Sequence, residues 1–321
     1  MIGAEKGNTG GSVGNYFNGY MAEVVFVDGQ ALDPTSFGEF DSDTPTVFKP
    51  IDVSGLTFGN NGFYLDFEDS SDLGNDVSGN NNDFTATNLA ATDQATDTPT
   101  NNFATWNSLD NYYQSNTYSE GNCKVQTQNT SFTYNFATIG VSAGKWYWEV
   151  EYDALSSGND QPSIGITSTP PTANDHELGN FANDWGWYTD NNTGYQANNN
   201  SYSDIDLNDY TVGDIIGVAL DLTNNKLYFR KNGTWEKSGD PTSGSTGTGA
   251  ISITAPGSTP LGAYFPSVAD GTNSQNATFK ANFGGCSAFT VSSGNSDANG
   301  YGNFEYAVPS GYYALCTKNL A

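Results

Sequence analysis

The chain has 321 residues, enough for two average domains or for one large all-β domain with an appendage. Only 36% of the residues are hydrophobic, but 14% are aromatic, with 19 Tyr, 19 Phe and 6 Trp, which excludes a disordered chain and supplies a core built from large rings. Ten Lys and Arg against 36 Asp and Glu leave a net charge of −26, which repels phosphate backbones and anionic lipid and excludes nucleic-acid binding.

In chain order, residues 1–45 hold one clear strand. It runs Tyr20-Met21-Ala22-Glu23-Val24-Val25-Phe26-Val27, with Ala22, Val24 and Phe26 on one face, and ends at the turn dipeptide Asp28-Gly29. The stretch from Asp33 to Phe40 reads as a short capped helical turn. Residues 46–105 read as an extended connector with one short strand at Phe63-Tyr64-Leu65-Asp66-Phe67. From Trp106 onward strand signals are dense. Trp146, Trp148, Val150 and Tyr152 alternate with Glu149 and Glu151, which share the other face with Lys145. Ile216, Val218, Leu220 and Leu222 line one face of a strand that turns at Asn224-Asn225 and returns as Leu227-Tyr228-Phe229-Arg230; Asn232-Gly233 reverses the chain again before Trp235. Further short strands follow near Gly262–Phe265 and Ala277–Phe283, and no helix longer than a turn or two is expected. This pattern predicts an all-β antiparallel sandwich with an N-terminal β appendage and a long connector.

The three cysteines, Cys123, Cys286 and Cys316, have neither CxxC nor His-rich spacing, so they form neither a disulfide framework nor a zinc site. Cys286 and Cys316 either pair or remain buried thiols. Met1 leads into a polar start without an apolar stretch, and no apolar run approaches the ~20 residues that span a bilayer. The expectation is no signal peptide and no membrane insertion, with release by cell lysis.

Two stretches carry a family resemblance. Gly144-Lys145-Trp146-Tyr147-Trp148-Glu149-Val150 resembles the opening strand of SPRY (B30.2-like) domains. Gly213 to Leu222, followed by Leu227-Tyr228-Phe229-Arg230-Lys231-Asn232-Gly233, resembles their most diagnostic hairpin. Ser163-Ile164-Gly165-Ile166 and the stretch from Leu261 to Val268 sit where that family has further core strands. The resemblance implies a SPRY-like, concanavalin-type jelly roll over 106–284, closed by 285–321. The segment from Asn15 to Leu32 looks like the last strands of a concanavalin-like (LamG-type) lectin sandwich. The runs Ser71 to Phe84 and Thr98 to Thr105, and the C-terminal run Pro309 to Leu320, resemble connectors and closing segments of bacteriophage structural proteins. That resemblance implies a virion-surface protein of tail-fibre, spike or decoration type, forming a homotrimer or larger assembly with other virion proteins.

The polar residues offer three kinds of chemistry. The one histidine, His176, lies in the loop Asn174-Asp175-His176-Glu177 without a GxSxG motif, and reads as a solvated residue. Glu149 and Glu151 have the i, i+2 spacing of a glycosidase pair, but read as the exposed outer face of a strand. Carboxylates between Asp66 and Asp83 have the chemistry for calcium but no EF-hand spacing; a plain turn cluster is the competing reading, and no resident cofactor is assigned. The best binding signal is aromatic. Trp185, Tyr188 and Tyr195 lie in the Asn/Asp-rich run 184–195, and Tyr202 and Trp235 lie near later turns. Flat rings stack on sugar faces, while amides and carboxylates bond hydroxyls. Within that run, Trp187 is expected inside the core, and Trp185 and Tyr195 exposed on a loop. The expected function is a non-enzymatic adhesin or decoration module binding a host-surface glycan or protein. The alternatives are a purely structural virion component and a polysaccharide hydrolase.

Overall fold

The computed structural model describes residues 2, 5–6, 13–14, 17, 21–40, 48–94, 97–98, 101–111, 114–156, 161–170, 172–173, 176–190, 192–285 and 288–320. The chain divides into two compact units, 1–88 and 89–321.

The first unit has six short described strands: β1 (Glu5–Lys6), β2 (Val13–Gly14), β3 (Val24–Phe26), β4 (Gly38–Phe40), β5 (Phe48–Pro50) and β6 (Phe63–Leu65). They pair antiparallel as β1–β2, β3–β6 and β4–β5. A small core of Val53, Phe58 and Tyr64 is joined by Val25, Val27, Phe37 and Leu56. The inward face of β3 is the one that does not carry Ala22, Val24 and Phe26. Val25 and Val27 point to the core, whereas Phe26 is exposed and stacks on Phe63. Tyr20 lies outside the described residues. The helical turn expected from Asp33 is a single 3-10 turn, Pro34–Ser36, that runs into β4, and the Asp33 side chain makes no capping bond. Residues 46–88, read as connector from sequence, fall in this unit, because β5 and β6 pair with its strands.

The second unit holds fifteen described strands: β7 (Thr117–Ser119), β8 (Lys124–Gln126), β9 (Thr133–Phe136), β10 (Lys145–Leu155), β11 (Pro162–Thr167), β12 (Asp184–Asp190), β13 (Thr193–Asn198), β14 (Ser201–Leu207), β15 (Ile215–Asp221), β16 (Lys226–Lys231), β17 (Thr234–Trp235), β18 (Ile251–Ser252), β19 (Phe265–Asp270), β20 (Ala277–Asn282) and β21 (Tyr313–Ala314). One sheet runs β17-β16-β15-β10-β20-β8-β7, with β18 beside β16 and β21 parallel to the start of β10. The other runs β14-β13-β12-β11-β19-β9, all antiparallel. The two inner faces meet in one core. Trp146, Trp148, Val150 and Tyr152 of β10, Ile216, Val218 and Leu220 of β15, and Phe279 of β20 pack with Ile164, Ile166, Trp187 and Val268 of the other sheet. The expected alternation, the 215–231 hairpin and the burial of Trp187 are all present. The β16–β17 reversal uses Asn232 and Gly233, both at positive φ, as a tight two-residue hairpin demands.

The outer face of β10 is covered as well. Tyr147, Ala219 and Tyr228 pack under Phe304, Tyr312, Ala314 and Cys316 of the C-terminal segment, joined by Phe103. The two ends of this unit clasp each other: Ala104 N donates to Leu315 O at 3.0 Å and Thr317 N to Asn102 O at 2.9 Å. Glu149 is thus 0% exposed, which corrects its reading as a solvated residue. Its carboxylate accepts from the backbone N–H of Glu305 and Tyr306, both at 2.9 Å, and from the Tyr147 hydroxyl at 2.7 Å. Beside it Arg230, 4% exposed, reaches Glu149 at 3.5 Å and donates to Ala307 O at 3.0 Å. The guanidinium also contacts the Tyr147 hydroxyl and lies 4.6, 5.0 and 5.1 Å from the rings of Tyr147, Trp235 and Tyr306. A glycine at 217 makes the room: a Cβ there would meet Arg230 Nε at 2.6 Å and Tyr147 Oη at 2.7 Å.

Removing one member of a buried charge pair strands the other. Arg230→Ala is expected to lower the unfolding free energy in urea titration by about 3–5 kcal/mol. A loss below about 1 kcal/mol would mean that the Arg230–Glu149 pair does not hold the C-terminal segment in place.

Candidate functional site

The five aromatic candidates separate into three places. Trp185 is on β12, not on a loop, and packs half-buried against the main core beside Trp187. Trp235 is half-buried on β17, over Arg230, and belongs to the other sheet. Tyr188, Tyr195 and Tyr202 come together on the outer face of the second sheet, carried by neighbouring strands β12, β13 and β14. Tyr195, too, is on a strand and half-buried.

Strand register makes this cluster. Tyr188 lies directly opposite Tyr195, and Tyr202 opposite Ala197. Ala197 leaves space for the Tyr202 ring to lean over Tyr188, with centroids 4.6 Å apart; Tyr188 and Tyr195 are 6.3 Å apart. The hairpin β13–β14 turns through Asn199 and Asn200, both in the left-handed region, where Asn is tolerated. Tyr188 is 7% exposed and Tyr202 39%, so the cluster has a buried floor and an open rim. β14 is the edge strand of its sheet, and most of its residues are exposed.

The loop before β12 lies against this sheet. Leu178 packs on Tyr134 and Ala269. Asp184 holds the loop: it accepts from Thr167 Oγ1 at 2.7 Å, Phe181 N at 3.2 Å and Gly179 N at 3.4 Å. Asn198 donates to the carbonyls of Ala182 and Asp184. This brings Glu177 under the tyrosines, where it accepts a hydrogen bond from the Tyr202 hydroxyl. Glu177 carries no motif in the sequence, where its neighbour His176 is the residue with recognisable catalytic chemistry. His176 contacts the Phe181 ring at 4.8 Å and lines a shallow hollow with Asn180 and Asn200.

Electrostatically the region is short of cations. Burial pushes the Glu177 carboxyl up, the Tyr202 bond partly offsets this, and the charge of Asp270 adds to it. Burial also raises Asp270, and it raises Asp184 to about 7, against the bonds from Thr167, Phe181 and Gly179.

The other candidates have structural partners. Glu151 is half-buried and paired with Lys280 at 3.3 Å, so the two β10 carboxylates do not face a common open site. In the Asp66–Asp83 run, Asp76 accepts from the N–H groups of Tyr64, Ser78 and Asn82, and Asp83 accepts from Asp76 N. Among the described residues no group of three or more His, Cys, Asp or Glu side chains is placed to hold a metal. Cys123 and Cys316 are both buried, and Cys286 lies outside the described residues.

The raised carboxyl groups set a pH dependence. An unfolded Asp ionises near 3.8, whereas folded Asp184 ionises near 7. Between these values the folded state keeps a proton that the unfolded state has released, so stability falls as pH rises through the window. The melting temperature is expected to be higher at about pH 5.5 than at about pH 8. Asp184→Asn, which keeps an oxygen for the two backbone bonds and offers an N–H to Thr167, is expected to flatten the difference. A melting temperature that climbs from the lower to the higher pH would contradict the assignment.

The family model of the SPRY domain matches residues 145–285. Among solved structures, the SPRY domain of human HERC1 is 18% identical, with 49% of this chain and 86% of that chain covered and a TM-score of 0.38. The stonustoxin structure is 20% identical, with 56% of this chain and 27% of that chain covered and a TM-score of 0.37. No curated protein sequence matches the chain. The stretch that matches the SPRY domain model, residues 145–285, runs from β10 to just beyond β20.

Proposed function

We propose that this protein is a non-enzymatic binding module that docks its partner on the face formed by Tyr188, Tyr195 and Tyr202. A SPRY domain suggests a protein-interaction module. The observation that carries the reading is the tyrosine cluster itself. Three rings gather on the outer side of a sheet, at an exposed edge strand, whereas on the other sheet the C-terminal segment covers the outer face around Tyr147, Ala219 and Tyr228. Tyrosine rings give large contact area at small entropic cost, and an edge strand offers unpaired backbone groups to a partner. The resemblance of the connector and closing runs to bacteriophage structural proteins supports a place on a virion surface, as an adhesin or decoration module in a homo-oligomer. The ligand there is a host-surface protein or glycan. A purely structural virion role is the second reading. It is favoured by the exposed Phe26, Phe40 and Phe48 of the first unit, which an assembly would cover.

The test is binding of the labelled protein to intact bacterial host cells, with Tyr195→Ala and Tyr202→Ala combined. These half-exposed rings are replaceable without emptying the core, and adsorption is expected to fall about tenfold or more. Periodate treatment of the cells separates glycan from protein ligands. Adsorption unaffected by the double substitution would overturn the proposed face. No adsorption by the unsubstituted protein would favour the structural role.

A further inference from the structure

The same domain builds one cation cage and fills it. Arg230 sits among the rings of Tyr147, Trp235 and Tyr306 beside the buried Glu149, whose carboxylate also accepts the Tyr147 hydroxyl. On the second sheet the parts recur. Tyr188, Tyr195 and Tyr202 gather beside the buried Glu177, whose carboxylate accepts the Tyr202 hydroxyl. What is missing is the cation. No Lys or Arg occurs in the sequence between Lys145 and Lys226, the stretch that supplies β12, β13, β14 and their loops.

We infer that the cluster of Tyr188, Tyr195, Tyr202 and Glu177 receives a basic side chain, lysine or arginine, presented by a partner protein. The inference rests on the docking face proposed above and gives that face its partner chemistry. Glu177 is 8% exposed, and its Oε2 is buried without a hydrogen bond. That oxygen lies against Gly271, where a Cβ would come within 1.9 Å of it. A buried carboxylate oxygen left unmatched is costly and leaves the Glu177 charge under-compensated, so a cation reaching the other oxygen gains a charge-assisted bond. The charges acting on Tyr188 come from Glu177 and Asp190, and the charge acting on Glu177 comes from Asp270, all negative. Ring faces and negative charge both favour a cation. The way in is over Tyr202, which is 39% exposed on the edge strand and is the one described side chain that donates to Glu177. An entering ammonium or guanidinium group takes the place of its hydroxyl on Oε1.

A chain of net charge −26 attracts any polycation, so the probe carries a single basic residue. Dansyl-labelled Gly-Arg-Gly and Gly-Lys-Gly with blocked ends, against blocked Gly-Gln-Gly, are titrated with the full chain at physiological salt. The basic peptides are expected to bind and the neutral one not. Glu177→Gln should weaken binding about tenfold. The Gln variant keeps an acceptor for Tyr202 and removes a buried charge, so it folds. Tyr202→Phe, which keeps the ring and frees Oε1, should retain binding, and Tyr202→Ala should lose it. Glu120→Gln removes the same charge from the other sheet and should change nothing. Equal binding by Glu177→Gln, or by the neutral peptide, overturns the inference. If neither basic peptide binds while adsorption to the partner still depends on Tyr195 and Tyr202, the docking face stands and its cationic ligand does not. If adsorption is indifferent to those tyrosines, the docking face itself falls.

Discussion

Strand β10 is buried on both faces, and most of the second unit follows from that. Its even-numbered residues, Trp146 to Tyr152, form the centre of the inter-sheet core. Its odd-numbered residues Tyr147 and Glu149 form the floor on which the C-terminal segment is seated. A strand with a carboxylate on its second face can be buried only if that charge is fully met. Arg230 and the two backbone N–H groups of 305–306 meet it. The family match at 145–285 thus ends before a segment that this domain uses to complete its own structure.

That closure decides where binding falls. The outer side of the first sheet is occupied from Tyr147 across to Tyr228 by the chain's own residues. The second sheet has only a loop over part of its outer side, pinned by Asp184 and Leu178, and ends in the exposed edge strand β14. The tyrosines and Glu177 lie at the border between the covered part and the open edge. Burial raises the carboxyl groups of Glu177, Asp184 and Asp270 on this side of the molecule, as it raises Glu149 on the other.

Local pattern was legible and distant cover was not. The alternation through Trp146–Tyr152 and the Asn-centred turns of 215–235 are short-range signals, and the structure keeps them. Trp185 and Tyr195 were read as loop residues because Asp, Asn and Gly surround them. Pairing to β11 on one side and β14 on the other makes that run a hairpin instead. Glu149 looked exposed because the residues whose backbone meets its carboxylate lie 156 and 157 positions downstream. Which face of β3 turns inward was not legible either: Val24 and Val25 are equally apolar, and only the small core beside them selects Val25. Glu177 carried no motif at all; its one sequence signal was the long absence of Lys and Arg around it.

Amide hydrogen exchange on the full chain tests the account most directly. If the Glu149–Arg230 cluster seals the first sheet, the described amides of 304–316 exchange as slowly as those of β10 and β15, while those of 201–206 exchange fast. Fast exchange through 304–316 with a protected β10 and β15 would contradict it. The C-terminal segment would then be a detachable cover, and the face around Tyr147 and Tyr228 a rival surface for the partner.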